Sequence, residues 1–182
     1  DWVMGVCRGG VINGMVTFVP RMIKAGKGGH IATVSSWGGF MGGATTAPYS
    51  AAKAAVNNLM ESYFLTLKAY GIGVSVLCPT GINSNIHEST FIRPKHLQNT
   101  GYNVNETTIE FERRIYAQGI DPVELARILK KGIEDDVLYV LPFADPEKML
   151  RDNFERIINL SSPDGMKRQK EQIFLLTARR LG

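Results

Sequence analysis

A short apolar run, a glycine-rich loop and a helix follow one another early in the chain, and this order constrains the fold more than any other feature. The apolar run extends from Ile31 to Val34, after a turn marked by Gly28, Gly29 and His30. Turn residues that precede a short apolar run are typical of a strand. Pro48 suits the first turn of the helix after the loop. The segment is therefore predicted to form a strand, a loop and a helix.

Two more apolar runs predict further strands. One extends from Ile72 to Cys78, and the other extends from Val137 to Leu141 and is bounded by Pro142. Runs without polar alternation are typical of parallel strands that are buried on both faces. With 182 residues, of which 44% are hydrophobic and 21% are charged, the chain is long enough to bury one core. The fold class is therefore predicted to be α/β.

Three side chains around the glycine-rich loop are candidates for catalysis. Tyr49 and Lys53 stand four residues apart, so they share one helix face, and the ammonium can favour the ionised form of the phenol. A phenol whose pKa is lowered by this ammonium together with the positive charge of a bound cofactor can act as a base, while the Ser36 hydroxyl at the end of the strand can hold a substrate oxygen. The alternative is an amphipathic surface pair, because a tyrosine and a lysine at this spacing also occur by chance.

The order of strand, Ser36, loop and Tyr49-Lys53 helix resembles the catalytic half of a short-chain dehydrogenase/reductase. The resemblance implies the C-terminal part of a doubly wound, parallel-sheet Rossmann-type fold with a helical C-terminal extension. It also implies that Ser36 donates a hydrogen bond to the substrate oxygen, that Tyr49 transfers the proton and that Lys53 holds the ribose of a nicotinamide cofactor. NAD is the expected cofactor, with NADP left open. The loop glycines, which would let the backbone approach a flat ligand, are Gly38, Gly39, Gly42 and Gly43.

A turn after the second strand is the other expected cofactor contact. In the family, a Pro-Gly turn at this place faces the nicotinamide carboxamide, but Thr80 here separates Pro79 from Gly81. Ser84 keeps the position of the family's hydroxyl. Together with Tyr49 and Lys53, the expected cofactor-binding residues are Pro79, Thr80, Gly81, Ile82 and Ser84.

Cys7 occupies the place at which the resemblance implies a catalytic asparagine. The family's asparagine holds a water that connects the lysine to solvent, and a thiol is a weak hydrogen-bonding replacement. Cys7 is therefore a candidate relay residue, and the alternative is a small residue buried on a packed helix. Neither Cys7 nor Cys78 is expected to bind a metal.

The segment that would bind the cofactor pyrophosphate is not recognisable in the sequence. The family begins with a strand and a glycine-rich turn, whereas no strand precedes the glycines near the start of this chain. The chain is therefore expected to be truncated at its N-terminus. Residues 1–142 are predicted to be the catalytic half of the domain, and residues 143–182 a helical extension of the same domain.

The strings GVINGMVTFVPRMI, SSWGGFMG, PYSAAKAA and YGIGVSV are similar to bacterial Cα-dehydrogenases, which act on lignin-derived β-aryl ethers. This closer resemblance implies an NAD-dependent oxidation of a benzylic secondary alcohol to a ketone. The expected partner is a small, aromatic secondary alcohol or ketone, and the full-length protein is expected to be a homo-oligomer. The alternative is a non-catalytic fragment or degenerate homologue that retains the subunit-pairing helices.

The chain after the turn is polar and irregular, and the resemblance implies that residues 85–105 are a mobile substrate loop. His87 and His96 lie in this loop and are expected to be exposed rather than to bind a metal. Four aromatic side chains could line a pocket for a bulky apolar substrate, although core packing explains the last two equally well. They are Phe91, Tyr102, Phe111 and Tyr116.

Three helices are predicted in the remainder of the chain. The first opens at Asp121 and Pro122, where a cap precedes a proline. The second extends from Asp145 to about Leu160, and the third from Met166 to Arg180.

Composition and charge bear on the expected partners and compartment. The net charge is +4, and a mild basic cluster near the end of the chain is typical of a solvated helix face, so no nucleic-acid partner is expected. The sequence contains neither an apolar run of membrane-spanning length nor a signal pattern. We therefore expect a cytoplasmic location and no membrane partner. The cluster contains Lys167, Arg168, Lys170, Arg179 and Arg180.

Overall fold

The computed structural model describes residues 1–98 and 105–160, and Asp1–Phe143 form one compact unit within it. A second unit begins at Ala144, and its described part is a helix. The predicted helix from Met166 to Arg180, the basic cluster and Tyr102 lie outside the described residues. The helices are α1 (Gly10–Ala25), α2 (Ala47–Leu67), α3 (Glu106–Tyr116), α4 (Pro122–Glu134) and α5 (Pro146–Leu160), and the strands are β1 (Gly29–Val34), β2 (Ile72–Leu77) and β3 (Tyr139–Val140).

The three strands form a parallel sheet in the order β1-β2-β3. In the longer pairing, Gly29 lies opposite Ile72 and Val34 lies opposite Leu77. β2 is the central strand, and nearly all of its residues are buried. This arrangement confirms the predicted α/β class and the two-sided burial of the second apolar run.

β3 is shorter than the predicted strand from Val137 to Leu141. Asp136 has a positive φ of 54° immediately before it, and the Val137 N–H turns back to donate to the Gly132 carbonyl of α4 at 2.9 Å. At the other end, Pro142 has no N–H to donate to a neighbouring strand. Backbone geometry therefore ends the strand where side-chain composition predicted that it would continue.

Ser75 joins the three strands near the start of the sheet. Its hydroxyl donates to the Val137 carbonyl at 2.7 Å and lies 2.9 Å from Nε2 of His30. Because that hydroxyl already donates to Val137, the His30 ring N–H is the donor to Ser75. Ser75 is fully buried. The three residues therefore fix the register of β1, β2 and the chain entering β3 with a satisfied polar contact.

Helices cover both faces of the sheet. On one face, Met15 of α1 and Met60 of α2 belong to a cluster with Val74 and Val76 of β2. On the other face, Leu125 of α4 packs with residues of β2 and β3. Alternate residues of a strand point to opposite faces, so β2 contributes to both clusters. Two-sided coverage is the doubly wound arrangement that the sequence predicted.

The predicted start of α4 is confirmed by its cap, and that of α5 by its limits. Asp121 accepts hydrogen bonds from the Val123 and Glu124 N–H groups at 2.8 and 3.1 Å, immediately before α4. α5 extends from Pro146 to Leu160, close to the predicted limits. None of the helices in the described ranges is long and apolar enough to cross a membrane.

The segment after the turn is more ordered than an irregular loop. Residues Ile86–Ile92 and Lys95–Leu97 form short 3₁₀ helices. His87 is buried, which corrects the prediction that it is exposed, because the first of these helices packs on α3. His96 is exposed as predicted. Among the residues that the structure describes, no three His, Cys, Asp or Glu side chains group closely enough to hold a metal ion.

Candidate active site

The segments that follow β1 and β2 lie side by side at the carboxyl ends of the strands. The Ser35 N–H donates to the Leu77 carbonyl at 2.8 Å, and the Trp37 N–H donates to the Pro79 carbonyl at 2.9 Å. These bonds extend the strand pairing beyond the sheet and bring the Ser36 loop beside the turn from Pro79. The carboxyl edge of a parallel sheet is where open α/β folds bind ligands.

Ser36 caps the short helix Trp37–Gly39. Its hydroxyl oxygen accepts a hydrogen bond from the Gly38 N–H at 3.0 Å. A Cβ on Gly38 would lie 3.4 Å from that hydroxyl and 3.6 Å from Cε1 of the Tyr49 ring. Ser36 and Tyr49 are therefore neighbours across Gly38, as the sequence predicted for a shared site.

Gly39 explains how closely the loop packs on α2. A Cβ at this position would lie 2.5 Å from Nδ2 of Asn57 and 3.0 Å from the carbonyl of Lys53. The Ser35 hydroxyl also donates to that carbonyl, at 3.2 Å. The absence of a side chain at Gly39 therefore allows the loop to contact α2. The sequence instead assigned this glycine to the approach of a flat ligand.

Tyr49 and Lys53 lie in the first two turns of α2, on the side that faces the end of β1. Nζ of Lys53 lies 5.6 Å from the centroid of the Tyr49 ring and donates to the Val34 carbonyl at 3.0 Å. An ammonium carries three N–H donors. The bond to Val34 uses one of them and leaves two for other acceptors.

Burial raises the pKa of Tyr49 above its ordinary value, and a hydrogen bond with Ser36 opposes the effect by favouring the phenolate. The lowered pKa that the sequence predicted relied on a cofactor cation as well as on Lys53, and the side chains by themselves leave the phenol harder to ionise. The Lys53 ammonium is engaged by the Val34 carbonyl, and burial lowers the pKa of Lys53. For the Tyr49 phenol, desolvation therefore outweighs the stabilisation of the phenolate by the Lys53 ammonium.

Cys7 lies in a π-helical segment, Met4–Gly9, which continues directly into α1. This segment packs against α2, and the Cys7 thiol is near enough to influence the pKa values of both Tyr49 and Lys53. π-Helical turns often occur at functional sites. Cys78, in contrast, is fully buried, and burial raises the pKa of its thiol to about 12. Cys78 is therefore a packing residue.

The turn from Pro79 to Ser84 is held by a segment that sequence reasoning missed. The Ile120 N–H donates to the Gly81 carbonyl at 3.0 Å, and the Asn83 N–H donates to the Ile120 carbonyl at 3.0 Å. A Cβ on the preceding residue, Gly119, would lie within 2.8 Å of the backbone of Gly81, Ile82 and Asn83. The available signal was a glycine shortly after α3, but its partner is distant in sequence.

A cavity of about 300 Å³ lies beside Tyr49. Besides Tyr49, its wall contains the large side chains of Trp2 and Arg93, and neither was singled out in the sequence. The guanidinium carbon of Arg93 lies 5.5 Å from the centroid of the Trp2 ring. The remaining lining residues are Asp1, Val3, Met4, Thr45, Thr46, Pro48 and Leu97. Phe91 and Phe111 are exposed and do not line this cavity.

Comparison with known proteins identifies related chains. A family model described as short chain dehydrogenase matches residues 1–94. The C alpha-dehydrogenase of Sphingobium sp. (strain SYK-6) is 49% identical over 178 residues, which are 95% of this chain and 58% of that protein. This chain therefore spans little more than half the length of that relative.

Two solved structures extend the comparison. The apo form of LigD from Sphingobium sp. strain SYK-6 is 45% identical, with a TM-score of 0.65 over 90% of this chain and 55% of that one. A short chain dehydrogenase/reductase from Burkholderia phymatum in complex with NAD is 26% identical, with a TM-score of 0.79 over 89% of this chain and 59% of that one. Their similarity extends along most of the present chain.

Replacing Gly119 by alanine tests whether the backbone crossing holds the turn. The added methyl group has only backbone atoms around it, so either the turn or the segment after α3 must move. We expect Gly119→Ala to lower the free energy of unfolding by about 2 kcal/mol, as overpacking typically does. Urea unfolding measures this change. Gly42→Ala is the matched control, because a Cβ there has no neighbour within 4 Å. Equal stabilities of the two variants would contradict the packing account.

A pH titration tests the direction of the Tyr49 pKa. Because burial favours the neutral phenol, its contribution to stability is present below the ordinary pKa of 10.0 and is lost as pH rises through the higher native value. The tyrosinate absorbance that is lost in Tyr49→Phe should therefore develop only above pH 10.0. Ser36→Ala should move this absorbance to still higher pH, since it removes the bond that favours the phenolate. Ionisation near neutral pH in the protein without ligands would contradict the assignment.

Proposed function

Because the chain belongs to the short-chain dehydrogenase family, we propose that Ser36, Tyr49 and Lys53 interconvert a secondary alcohol and a ketone with a nicotinamide cofactor. The observation that carries the proposal is their convergence at the carboxyl edge of the sheet, where Ser36 and Tyr49 adjoin across Gly38 and Lys53 reaches the end of β1. A hydroxyl, a phenol and an ammonium at one place are the groups needed to bind and deprotonate an alcohol.

The proposed substrate is a benzylic secondary alcohol or the corresponding ketone. Support comes from the 49% identity to a C alpha-dehydrogenase, together with a cavity that contains an indole beside Tyr49. Trp2 offers an aromatic surface against which an aryl group can pack.

The donor set at this edge fits the nicotinamide ribose of a dinucleotide. Lys53 has two N–H donors beyond its bond to Val34, and these suit ribose hydroxyl oxygens. The turn that begins at Pro79, beside the Ser36 loop, also contains two hydroxyl residues, Thr80 and Ser84. We propose NAD as the cofactor, since a relative of similar fold was solved with NAD. Titration with NAD and with NADP compares the two directly.

The proposed mechanism assigns the proton transfer to Tyr49. In oxidation, Ser36 donates a hydrogen bond to the alcohol oxygen, and Tyr49 removes the O–H proton as the carbonyl double bond forms. A bound oxidised nicotinamide would supply a hydride acceptor and a positive charge that favours the phenolate. In ketone reduction, Tyr49 returns the proton to oxygen. The raised pKa of the phenol suits this second role, because Tyr49 is protonated at neutral pH.

Replacing Tyr49 tests the proposed acid/base role. In the full-length protein, Tyr49→Phe keeps the ring but removes the proton carrier, so turnover of a benzylic secondary alcohol with NAD should fall at least about a hundredfold. Tyr70→Phe removes the same hydroxyl from an exposed tyrosine and serves as the control. Unchanged turnover in Tyr49→Phe would exclude Tyr49 from the chemistry. If wild-type protein turns over neither alcohol nor ketone with NAD or NADP, the protein is a non-catalytic member of the family.

Cys7 is proposed to occupy the place of a proton relay from Lys53 to solvent. An amide is a stronger hydrogen-bonding group than a thiol, so Cys7→Asn should hold a relay water better. We expect Cys7→Asn in the full-length protein to turn over the alcohol at least as fast as wild type, whereas Cys7→Ala should be slower. Steady-state rates with matched thermal melts measure this. A large loss of turnover in a stable Cys7→Asn variant would show that the thiol itself has a role.

A further inference from the structure

We propose that Arg93 and Trp2 form a subsite that recognises a carboxylate on an aromatic substrate. The inference rests on the proposed function, because it concerns the same site and names the part of the substrate that lies away from the reacting carbon. Arg93 thereby acts as a specificity-determining residue. The cavity beside Tyr49 contains both side chains and is the place at which a substrate can reach the proposed acid/base group.

The two side chains are arranged as a stacked pair. The Arg93 guanidinium lies over the Trp2 indole at 5.5 Å, within the range of a cation–π contact. The backbone of Arg93 is held as well, because Nε2 of Gln98 donates to its carbonyl at 3.2 Å. A cation–π contact uses none of the N–H donors of a guanidinium, and among the described residues no acceptor is bonded to those of Arg93. A preorganised planar edge suits bidentate binding of a carboxylate.

The charge of Arg93 has no acidic partner among the described residues. The arginines that form described ion pairs are all residues other than Arg93, and they lie on α3, α4 or α5. Asp1 lines the same cavity but does not form an ion pair with Arg93 within 4.0 Å. In addition, Nε of Arg93 is buried without a hydrogen-bond partner. Buried donors are normally satisfied, so this group favours an acceptor brought by a ligand.

The rest of the cavity fits the aromatic part of such a substrate. Val3, Met4, Pro48 and Leu97 supply apolar surface, and Tyr49 is part of the wall. A benzylic alcohol that packs among these side chains would present its carbinol to Tyr49 and a distal anionic group to Arg93. The combination predicts an aryl secondary alcohol that carries a carboxylate, in preference to its neutral counterpart.

A pair of isosteric alcohols tests this preference in the full-length protein. The substrates are para-(α-hydroxyethyl)benzoate and para-(α-hydroxyethyl)benzamide, which differ in charge but little in size. We expect wild type to have a kcat/KM at least about tenfold higher for the benzoate, as a hydrogen-bonded charge typically gives. Arg93→Met should reduce this ratio to near one, mainly through the KM of the benzoate. Arg93→Lys should restore only part of it, because a lysine lacks the planar edge. Lys95→Met, an exposed neighbour on the same segment, is the control for lost charge.

A binding measurement separates this inference from the proposed function. Calorimetry with the ketones para-acetylbenzoate and para-acetylbenzamide requires no turnover. Tighter binding of the acetylbenzoate by wild type, lost in Arg93→Met and kept in Lys95→Met, would support the subsite even if neither alcohol were oxidised. Equal binding of the two ketones, or a preference that survives Arg93→Met, would overturn the subsite even if Tyr49 proved essential for oxidation.

Discussion

The parallel pairing of β1 with β2 is the constraint on which the site depends. Because Val34 lies opposite Leu77, both strands end at the same level, and the segments after them start side by side. Two further backbone hydrogen bonds, from Ser35 to Leu77 and from Trp37 to Pro79, continue that alignment into the loops. A shift of one residue in this register would separate the Ser36 loop from the turn and turn the side chains of the shifted strand to the opposite faces of the sheet.

The helix that carries Tyr49 and Lys53 must then lie close to the loop, and that closeness changes the chemistry of both side chains. Gly39 permits the contact, while the bond from Lys53 to Val34 connects α2 to the end of β1. The same packing excludes water, which raises the pKa of Tyr49 and lowers that of Lys53. The protein alone therefore favours the neutral phenol, and base character requires additional positive charge beside it.

Much of this arrangement was predictable from the sequence because it is encoded locally. Apolar runs indicated β1 and β2, and the Asp121 cap indicated α4; both signals depend on neighbouring residues. The bridge between Ile82 and Ile120 and the stacking of Arg93 on Trp2 join residues that are distant in the chain, so no local pattern reports them. The burial that raises the pKa of Tyr49 was not predictable either, since spacing reveals a nearby lysine but not the extent of burial.

We propose that this edge of the sheet supports transfer of a hydride from a secondary alcohol and that Lys53 is essential for it. The most direct measurement follows deuterium from the carbinol carbon of a benzylic alcohol to NAD by mass spectrometry in the full-length protein. Wild type should form deuterated NADH together with the ketone, and Lys53→Met, which keeps the length of the side chain but removes its charge, should form little of either. Equal deuterium transfer in Lys53→Met, or none in a folded wild type that binds NAD, would contradict the account.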